Sequence, residues 1–328
     1  MCTAIYENKS RPLFGRTLDL EYSYGESVVV TPHRFPLRFL HEAENSAHLA
    51  IVGTAHIGDG YPLYYDAVNE SGLAAAGLNF PDNAVYSPKR EGFFNLASFE
   101  LIPWLLSRCE NLTDALRLLR RTNITPDAFS HDLPPTPLHW LIADRERAVT
   151  LEATSRGVQI YDNPVGVLTN NPPFDYHLTN LANFMSADSL PPKNTLCPSL
   201  QIKPYSRGMG GLGLPGDFSS TSRFVRAVFA KTHTAYAESE SADIGRFFHI
   251  MDTVAQPRGC ALTEEGAPIC TVYTSCADLR SAEYYFTTYS CRQIRAVSLS
   301  ELSLNTENLI SYPMEQSENI SYLCRMGD

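Results

Sequence analysis

The order in which two hydrophobic periodicities follow one another along the chain constrains its fold most. Short apolar runs bounded by turn residues, typical of buried strands, fill the first third, and helical spacing takes over at 101–119. Strand-like runs return between 138 and 169, helical patterns between 174 and 251, and strands from 269 to 297. Because the elements come in blocks and not in βαβ units, this order favours an α+β sandwich of two sheets covered by helices.

The individual elements follow from local pattern and capping residues. Ser219 to Ser222 are N-cap candidates for a helix with an apolar stripe through Phe224 and Phe229, and a second stripe runs from Ile244 to Met251. Strands are predicted at 3–6, 13–16, 27–31, 50–53, 73–80, 138–142, 148–152, 157–161 and 165–169, and helices at 101–106, 112–119 and 174–185. Residues 187–217 are rich in Pro and Gly, which predicts a long binding or assembly loop.

Composition excludes several classes of partner. The 328 residues permit either two domains or one large layered domain, and 44% hydrophobic residues suffice for a sizeable core. A net charge of -10 without a dense Lys/Arg run argues against nucleic acid. No apolar stretch approaches the ~20 residues that span a bilayer, and no secretory signal is recognisable. We therefore expect a cytoplasmic protein with no membrane partner.

The cysteines fit that expectation. Eight are present, without CxxC pairs or the tight spacing of a disulfide scaffold. Seven are therefore predicted to be reduced and to behave as small hydrophobic residues. The eighth, Cys2, is treated separately because of its position.

The chain opens Met1-Cys2-Thr3. Removal of one methionine would leave a cysteine that carries both a nucleophilic thiol and a free α-amine. An α-amine, with an ordinary pKa of about 7.7 to 8.0, can accept the thiol proton near neutral pH without a histidine. The Met-Cys pair is also a common accident of sequence, so other residues must support this interpretation.

Three further segments offer that support. Arg16 and Asp19 follow the Phe14-Gly15 strand end; near Cys2 the arginine would favour thiolate over thiol and the aspartate would hold the ammonium group. Three residues apart, they could share a face only through a local break in the strand, and a surface ion pair is the simpler alternative. Asn79 and Asn170 lie in turns next to proline, where turn formation is their ordinary role, but a fixed amide could donate to an oxyanion.

Other motifs point away from cofactors and metals. Gly208 to Gly213 matches GxGxxG, yet no strand leads into it and no helix follows, so we reject a dinucleotide site. His131, His139 and His177 lack the spacing of metal ligands and are interpreted as surface histidines or as histidines with satisfied hydrogen bonds. We expect no cofactor and no metal.

Taken together, the motifs resemble the choloylglycine hydrolase family, which comprises bile salt hydrolases and penicillin V acylases among the N-terminal nucleophile hydrolases. The resemblance covers essentially the whole chain in order, and bile salt hydrolases are the closer match. Its segments are Met1-Cys2-Thr3, Phe14 to Asp19, Gly77 to Pro81, Leu138-His139-Trp140, Gly166 to Pro172, Leu214 to Phe218, Ser222-Arg223-Phe224 and Tyr273 to Cys276.

The resemblance implies an architecture and a catalytic set. The fold would be a four-layer αββα sandwich, a single domain over 1–328 with Met1 removed, assembled as a homotetramer. Cys2 would be the nucleophile and its α-amine the general base, with Arg16, Asp19 and Arg223 as charged support. Asn79 and Asn170 match the asparagines that stabilise the oxyanion and position the amine.

The same resemblance implies a substrate. By analogy with bile salt hydrolases, the apolar acyl pocket would be lined by Leu18, Tyr65, Phe129, Leu133 and Leu138, each of which could equally be ordinary core. Arg207, at the end of the 187–217 loop, would contact the acid group of a glycine or taurine conjugate. Residues 56–60 depart from the pattern of bile salt hydrolases.

Conjugated bile salts are thus the expected substrates, and two alternatives remain open. A penicillin V acylase or other N-acyl amidase would use the same chemistry on another acyl group. A non-catalytic carrier of steroids or fatty acids would use only the cavity.

Overall fold

The computed structural model of the chain describes residues 1–237, 239–318 and 320–322. Its strands are β1 (Cys2–Asn8), β2 (Pro12–Leu20), β3 (Ser27–Thr31), β4 (Ile51–Gly58), β5 (Tyr61–Asn69), β6 (Ala74–Asn79), β7 (Phe94–Ala97), β8 (Thr122–Thr125), β9 (Leu138–Ala143), β10 (Ala148–Thr154), β11 (Gly157–Asp162), β12 (Val167–Leu168), β13 (Ala261–Leu262), β14 (Pro268–Asp278), β15 (Glu283–Thr288), β16 (Cys291–Ser298) and β17 (Ile310–Pro313). Its α-helices are α1 (Leu101–Leu106), α2 (Leu112–Leu119), α3 (Phe174–Asn180), α4 (Ser220–His233) and α5 (Glu240–Asp252).

Two large antiparallel sheets form the centre of the fold. In the described part of the chain, the first sheet has the order β12-β1-β2-β14-β15-β16, with β13 added beside β14. The second has the order β11-β10-β9-β6-β5-β4-β3-β17, and β7 and β8 form a small parallel pair. The strand that begins with Cys2 is thus an interior strand of the first sheet.

Alternating side chains divide the core into two clusters. On β9, Leu141 and Ala143 join the inner cluster, to which both large sheets and the helices α4 and α5 contribute. Trp140 and Ile142 point the other way and join the outer cluster, which α1 and α2 cover. This period of two gives each face of the second sheet its own partner. The layers run helix, sheet, sheet, helix, which confirms the predicted αββα sandwich.

The local predictions hold where apolar spacing is regular. The bounds of β3, α1 and α2 agree with the predicted segments, and Ser219 caps α4 by accepting from the Ser222 N–H. Several other segments differ, including a helix and a strand. The helix predicted at 174–185 is α-helical only to Asn180, after which Leu181–Phe184 form a 3₁₀ turn. The strand β5 is not predicted, because Pro62 near its start and a buried Asp66 in its interior interrupt the strand pattern.

The segment 56–60 forms the end of β4 and the turn of the hairpin to β5. Gly58 pairs with Tyr61, and Asp59 and Gly60 both have positive φ, 48° and 75°. Two such central residues define a type I′ turn, which suits the twist of a two-residue hairpin. The segment is therefore an ordinary strand end and turn.

The free cysteines fit the prediction only in part. Cys109, Cys270, Cys276 and Cys291 are buried. Cys197 and Cys260 do not behave as buried hydrophobic residues: Cys197 is half-buried in the long loop, and Cys260 is exposed in the turn before β13. Cys324 lies outside the described residues.

Within the described ranges, no helix combines the length and the apolar character needed to cross a bilayer.

Candidate active site

The thiol of Cys2 lies between the two large sheets, next to a buried guanidinium group. Arg16 Nη2 is 2.7 Å from Cys2 Sγ, and both side chains are buried, Arg16 completely. Register explains the approach, because β1 and β2 pair Cys2 with Leu18 and Ala4 with Arg16. A cation at this distance favours the thiolate form of a cysteine.

Carbonyl groups hold the rest of the Arg16 side chain. Nη1 donates to the carbonyls of Gly77 at 2.6 Å and Tyr65 at 3.0 Å, both in the facing sheet, and Nε donates to Thr17 O at 3.2 Å. Burial disfavours the charged form, but nearby Cys2 and acidic groups from both sheets keep the pKa of Arg16 above its ordinary value. The guanidinium is thus fixed and charged.

One of those acidic groups is Asp66 on β5. Its carboxylate accepts from Ser275 Oγ and Tyr284 Oη, each at 2.8 Å, and from Tyr273 Oη. Burial raises the pKa of Asp66, while the Arg16 charge and these three hydroxyl groups act in the opposite direction. The cluster joins the two sheets directly behind Arg16.

The backbone nitrogen of Cys2 faces an asparagine. Cys2 N–H donates to Asn170 Oδ1 at 2.8 Å, and Asn170 Nδ2 donates to Asn79 O at 2.7 Å. The Asn170 N–H donates to Ser220 Oγ at 2.8 Å, at the start of α4. Asn79 ends β6 with an exposed side chain. The Asn170 amide is therefore fixed beside the Cys2 nitrogen, and the exposed Asn79 amide can reach an incoming group.

Arg223 of α4 closes the site from the helix layer. Its Nη1 donates to Cys2 O and, at 2.6 Å, to Thr3 Oγ1, and its Nη2 donates to Asn170 Oδ1 at 2.8 Å. Complete burial lowers the pKa of Arg223, and Asp19 and Cys2 partly offset this effect. The side chain fixes the Cys2 carbonyl and the Thr3 hydroxyl.

Asp19 lies on the same side as Arg223, with a carboxylate oxygen 4.0 Å from Nη1. The carboxylate accepts from Thr271 Oγ1 at 2.7 Å and from Gln256 Nε2 at 3.1 Å. The backbone N–H of Asp19 donates to the carbonyl of Met1 at 2.9 Å, and the carbonyl of Asp19 accepts from the terminal amine of Met1 at 2.6 Å. These contacts put Asp19 next to the segment that precedes the Cys2 nitrogen.

Arg16 and Asp19 reach the site from different sides. Both lie inside β2, which continues to Leu20, so the predicted strand end at residue 16 is wrong. Arg16 points to the facing sheet, and Asp19 points the other way, to Thr271 on β14 and to Gln256 in the segment after α5, as an odd spacing in a strand requires. The strand β2 itself is continuous, and the irregularity lies in its neighbour β14, whose pairing with β2 shifts register between Thr271 and Tyr273.

The predicted pocket residues divide into three groups. Leu18 is buried beside Cys2, and Tyr65 packs on the inner cluster. Phe129 is half-buried, with its ring 5.3 Å from Phe99, and Leu133 is joined to it in a turn by a 3.1 Å backbone hydrogen bond. Leu138 packs instead with the outer cluster, and Arg207 is exposed in the long loop.

Sequence reasoning missed several groups of this site. Gln256 and Thr271, which hold Asp19, are more than 230 residues away from it in the chain. Asp66 could have been noticed as a charge within an apolar run. The carbonyls that hold Arg16 give no signal, since every residue carries one.

Comparison with solved structures defines the class of the fold as that of the N-terminal nucleophile hydrolases. A variant of the conjugated bile acid hydrolase from Clostridium perfringens superposes with a TM-score of 0.92 at 32% identity, over 98% of this chain and 100% of that chain. The penicillin V acylase from Agrobacterium tumefaciens shares the fold, with a TM-score of 0.74 at 19% identity over 95% of this chain and 90% of that one.

Sequence comparison then gives the family. The model of linear amide C–N hydrolases of the choloylglycine hydrolase family matches residues 2–312, and the chain belongs to that family. Among curated proteins, it is 45% identical to a bile salt hydrolase/transferase from Lactiplantibacillus plantarum over 314 residues, 96% of this chain and 97% of that protein. The chain is thus an amide C–N hydrolase.

Proposed function

We propose that this protein hydrolyses the amide bond of glycine- or taurine-conjugated bile salts, with Cys2 as the nucleophile. The observation that carries the proposal is the 2.7 Å contact between Cys2 Sγ and the buried Arg16 guanidinium, at the site where the backbone nitrogen of residue 2 meets Asn170. The substrate class is supported by relatives named for bile salts that match this chain over nearly its whole length.

The reaction requires a free amine on Cys2, so Met1 must be removed. Asn170 Oδ1 is already 2.8 Å from the nitrogen that would become this amine. The Asp19 carbonyl, which accepts from the Met1 amine at 2.6 Å, would then be a second acceptor near the ammonium. The amine takes the thiol proton, and Arg16 stabilises the resulting thiolate.

Hydrolysis then proceeds in two steps. The thiolate attacks the amide carbonyl, and the exposed Asn79 amide at the end of β6 donates to the tetrahedral oxyanion. The C–N bond breaks as the Cys2 ammonium gives a proton to the leaving amine, which leaves a thioester. Water, deprotonated by the α-amine, attacks the thioester and releases the bile acid with Cys2 as thiolate. Arg223 keeps the Cys2 carbonyl and the Thr3 hydroxyl in place throughout.

The acyl group is proposed to lie against Leu18, Tyr65 and the turn from Phe129 to Leu133. Leu18 adjoins the nucleophile in register, and Phe129 adds a broad aromatic face. Leu138 would contribute through the edge of its half-buried side chain. Arg207, exposed in the long loop, would meet the acid group of the conjugate.

We also propose that the chain is one domain and assembles as a homotetramer in the cytoplasm. The assembly is supported by exposed apolar side chains on the segment 185–212: Met185, Leu190, Leu196, Leu200, Ile202, Tyr205 and Leu212. Clusters of this kind mark protein interfaces. Free cysteines in the described part of the chain suit a reducing compartment. Light scattering should give a mass about four times that of the chain, and a monomer would contradict the assembly.

Parallel assays of glycocholate, taurocholate and penicillin V test the function. We expect release of glycine or taurine with a kcat/KM well above that for penicillin V, and intact mass without Met1. A preference for penicillin V would refute the substrate class, and an active enzyme that retains Met1 would refute the mechanism.

Cys2→Ala should abolish release of the amino acid and leave ligand binding intact. Cys260→Ala, at an exposed cysteine, is the matched control and should keep wild-type activity. A wild type that binds bile salts but releases no amino acid would indicate a carrier.

A further inference from the structure

Two histidines and a glutamate lie directly behind the turn that carries Asn170. His139 on β9, Glu152 on β10 and His177 on α3 are completely buried, and we call these three side chains the histidine platform. Strand register puts Glu152 opposite His139. The reaction proposed above gives none of the three a part.

Two members of the platform hold successive carbonyls of this turn. His139 Nε2 is 2.9 Å from Thr169 O, and His177 Nε2 is 2.9 Å from Asn170 O. A carbonyl only accepts, so each Nε2 carries a proton and donates it. Since the Asn170 N–H is bonded to Ser220, the backbone of Asn170 is held on both sides. Its side chain is then aimed at the nitrogen of residue 2.

The third member, Glu152, determines how many protons the platform holds. Its Oε1 accepts from the Phe174 N–H at 2.9 Å and lies 3.2 Å from His139 Nδ1. His139 already carries a proton on Nε2, so a hydrogen bond here requires one further proton, shared between Nδ1 and Oε1. The pair then has no net charge, as its complete burial demands. Burial also lowers the pKa of His177, which favours its neutral form.

Both imidazole rings stack on neighbours of active-site residues. His139 lies parallel to Phe80, with ring centroids 4.2 Å apart and planes at 7°, and Phe80 directly follows Asn79. His177 stacks on Phe224, at 4.7 Å and 20°, and Phe224 directly follows Arg223. The platform therefore contacts the residues that directly follow Asn79 and Arg223.

We propose that the histidine platform positions Asn170 for catalysis, by fixing the carbonyls of Thr169 and Asn170. The three side chains are positioning residues, since none is required to touch the substrate. The inference rests on the proposed function, in which Asn170 orients the α-amine. A displacement of about 1 Å in such a group can cost ~10²-fold in rate.

The test compares His177→Leu and His177→Gln in the full chain, with glycocholate as substrate. His177→Leu removes the donor to Asn170 O and should lower kcat roughly tenfold to a hundredfold, with KM changed by less than about twofold. His177→Gln keeps an N–H donor and should restore most of kcat. Alkylation of Cys2 by iodoacetamide should stay near the wild-type rate in both, because the Arg16 contact is intact.

Leu105→Ala is the control for lost stability, since Leu105 is equally buried but lies in the outer cluster. It should lower Tm and leave kcat close to wild type. Wild-type kcat in His177→Leu, or equal losses in the Leu and Gln variants, would overturn the proposal.

If His177→Leu does not fold, Glu152→Gln tests the platform through a second member, because it preserves the size of the side chain and removes the acidic group that shares a proton with His139. A lower kcat at unchanged KM supports the platform, and wild-type kcat overturns it. Failure of the wild type to release glycine would instead refute the proposed function.

Discussion

Replacement of Arg16 tests the electrostatic basis of the proposed nucleophile. Arg16→Gln removes the positive charge 2.7 Å from Cys2 Sγ but retains an amide that can still donate to a nearby carbonyl. Arg16→Lys keeps the charge and loses the planar array of donors. A comparison of the two variants therefore separates the effect of the Arg16 charge from the effect of its hydrogen bonds to carbonyl groups.

The size of the effect follows from the contact. A hydrogen bond to a charged group contributes about 1.5 to 3 kcal/mol, and a tenfold change in rate corresponds to about 1.4 kcal/mol. Loss of the Arg16 contact should therefore slow the alkylation of Cys2 near neutral pH about tenfold to a hundredfold.

The assay is iodoacetamide alkylation followed by peptide mass analysis between pH 5 and about 10, a range that brackets the ordinary cysteine value. Exposed Cys260 reports reagent reactivity in the same molecule and should behave identically in every variant. Thermal unfolding identifies conditions in which each variant is folded. If Cys2 in Arg16→Gln is alkylated at the wild-type rate, relative to Cys260, the guanidinium does not stabilise the thiolate and the reasoning is refuted.

Three further predictions concern the pocket, acid stability and a helix cap. A Cβ on Gly58 would lie 2.9 Å from the Phe129 ring, so Gly58→Ala should displace this ring and raise KM for glycocholate with little change in kcat; an unchanged KM would remove Phe129 from the pocket. The pKa of His177 is lowered from 6.5, so below pH 6.5 the unfolded chain takes up a proton that the folded chain does not. The contribution of His177 to the free energy of unfolding is therefore complete above pH 6.5 and declines by up to about 1.4 kcal/mol per pH unit on acidification. Urea unfolding should show a flatter pH dependence in His177→Gln, and an unchanged slope would contradict this; the charged groups around His177 are His139, Glu152 and Arg223. Asn111 caps α2 by accepting from the third residue of the helix at 3.0 Å, so Asn111→Ala should destabilise the fold by about 1 kcal/mol in the same measurement, and no change would show that the cap contributes nothing.

Parts of the fold could be predicted because they depend on neighbours in sequence. The strand at 27–31 and the helices at 101–106 and 112–119 have regular apolar spacing, and the structure reproduces them. The strand from Tyr61 to Asn69 could not be predicted, since Pro62 and Asp66 are tolerated only by a hairpin end and by hydroxyl groups from another sheet. A local sequence pattern therefore fails to predict an element when a polar residue in it is hydrogen-bonded by a distant part of the chain.

The candidate site shows the same division. The resemblance of short motifs pointed to Cys2, Arg16, Asn170 and Arg223, and these four form one connected set of hydrogen bonds. It gave no indication of Asp66 behind Arg16, which only the stacking of two sheets brings into range.

The sequence by itself determined the order of the blocks of strands and helices, because periodicity and capping act between residues a few positions apart. It also determined which reactive side chains were available, beginning with the thiol at position 2. Only the tertiary structure decided what surrounds them. The Arg16 guanidinium is held by carbonyls 49 and 61 residues away, and the Asn170 turn by two buried histidines. Every residue has a carbonyl, so the choice of acceptors depends on strand register and on which strand ends meet, and neither can be read from residue identity.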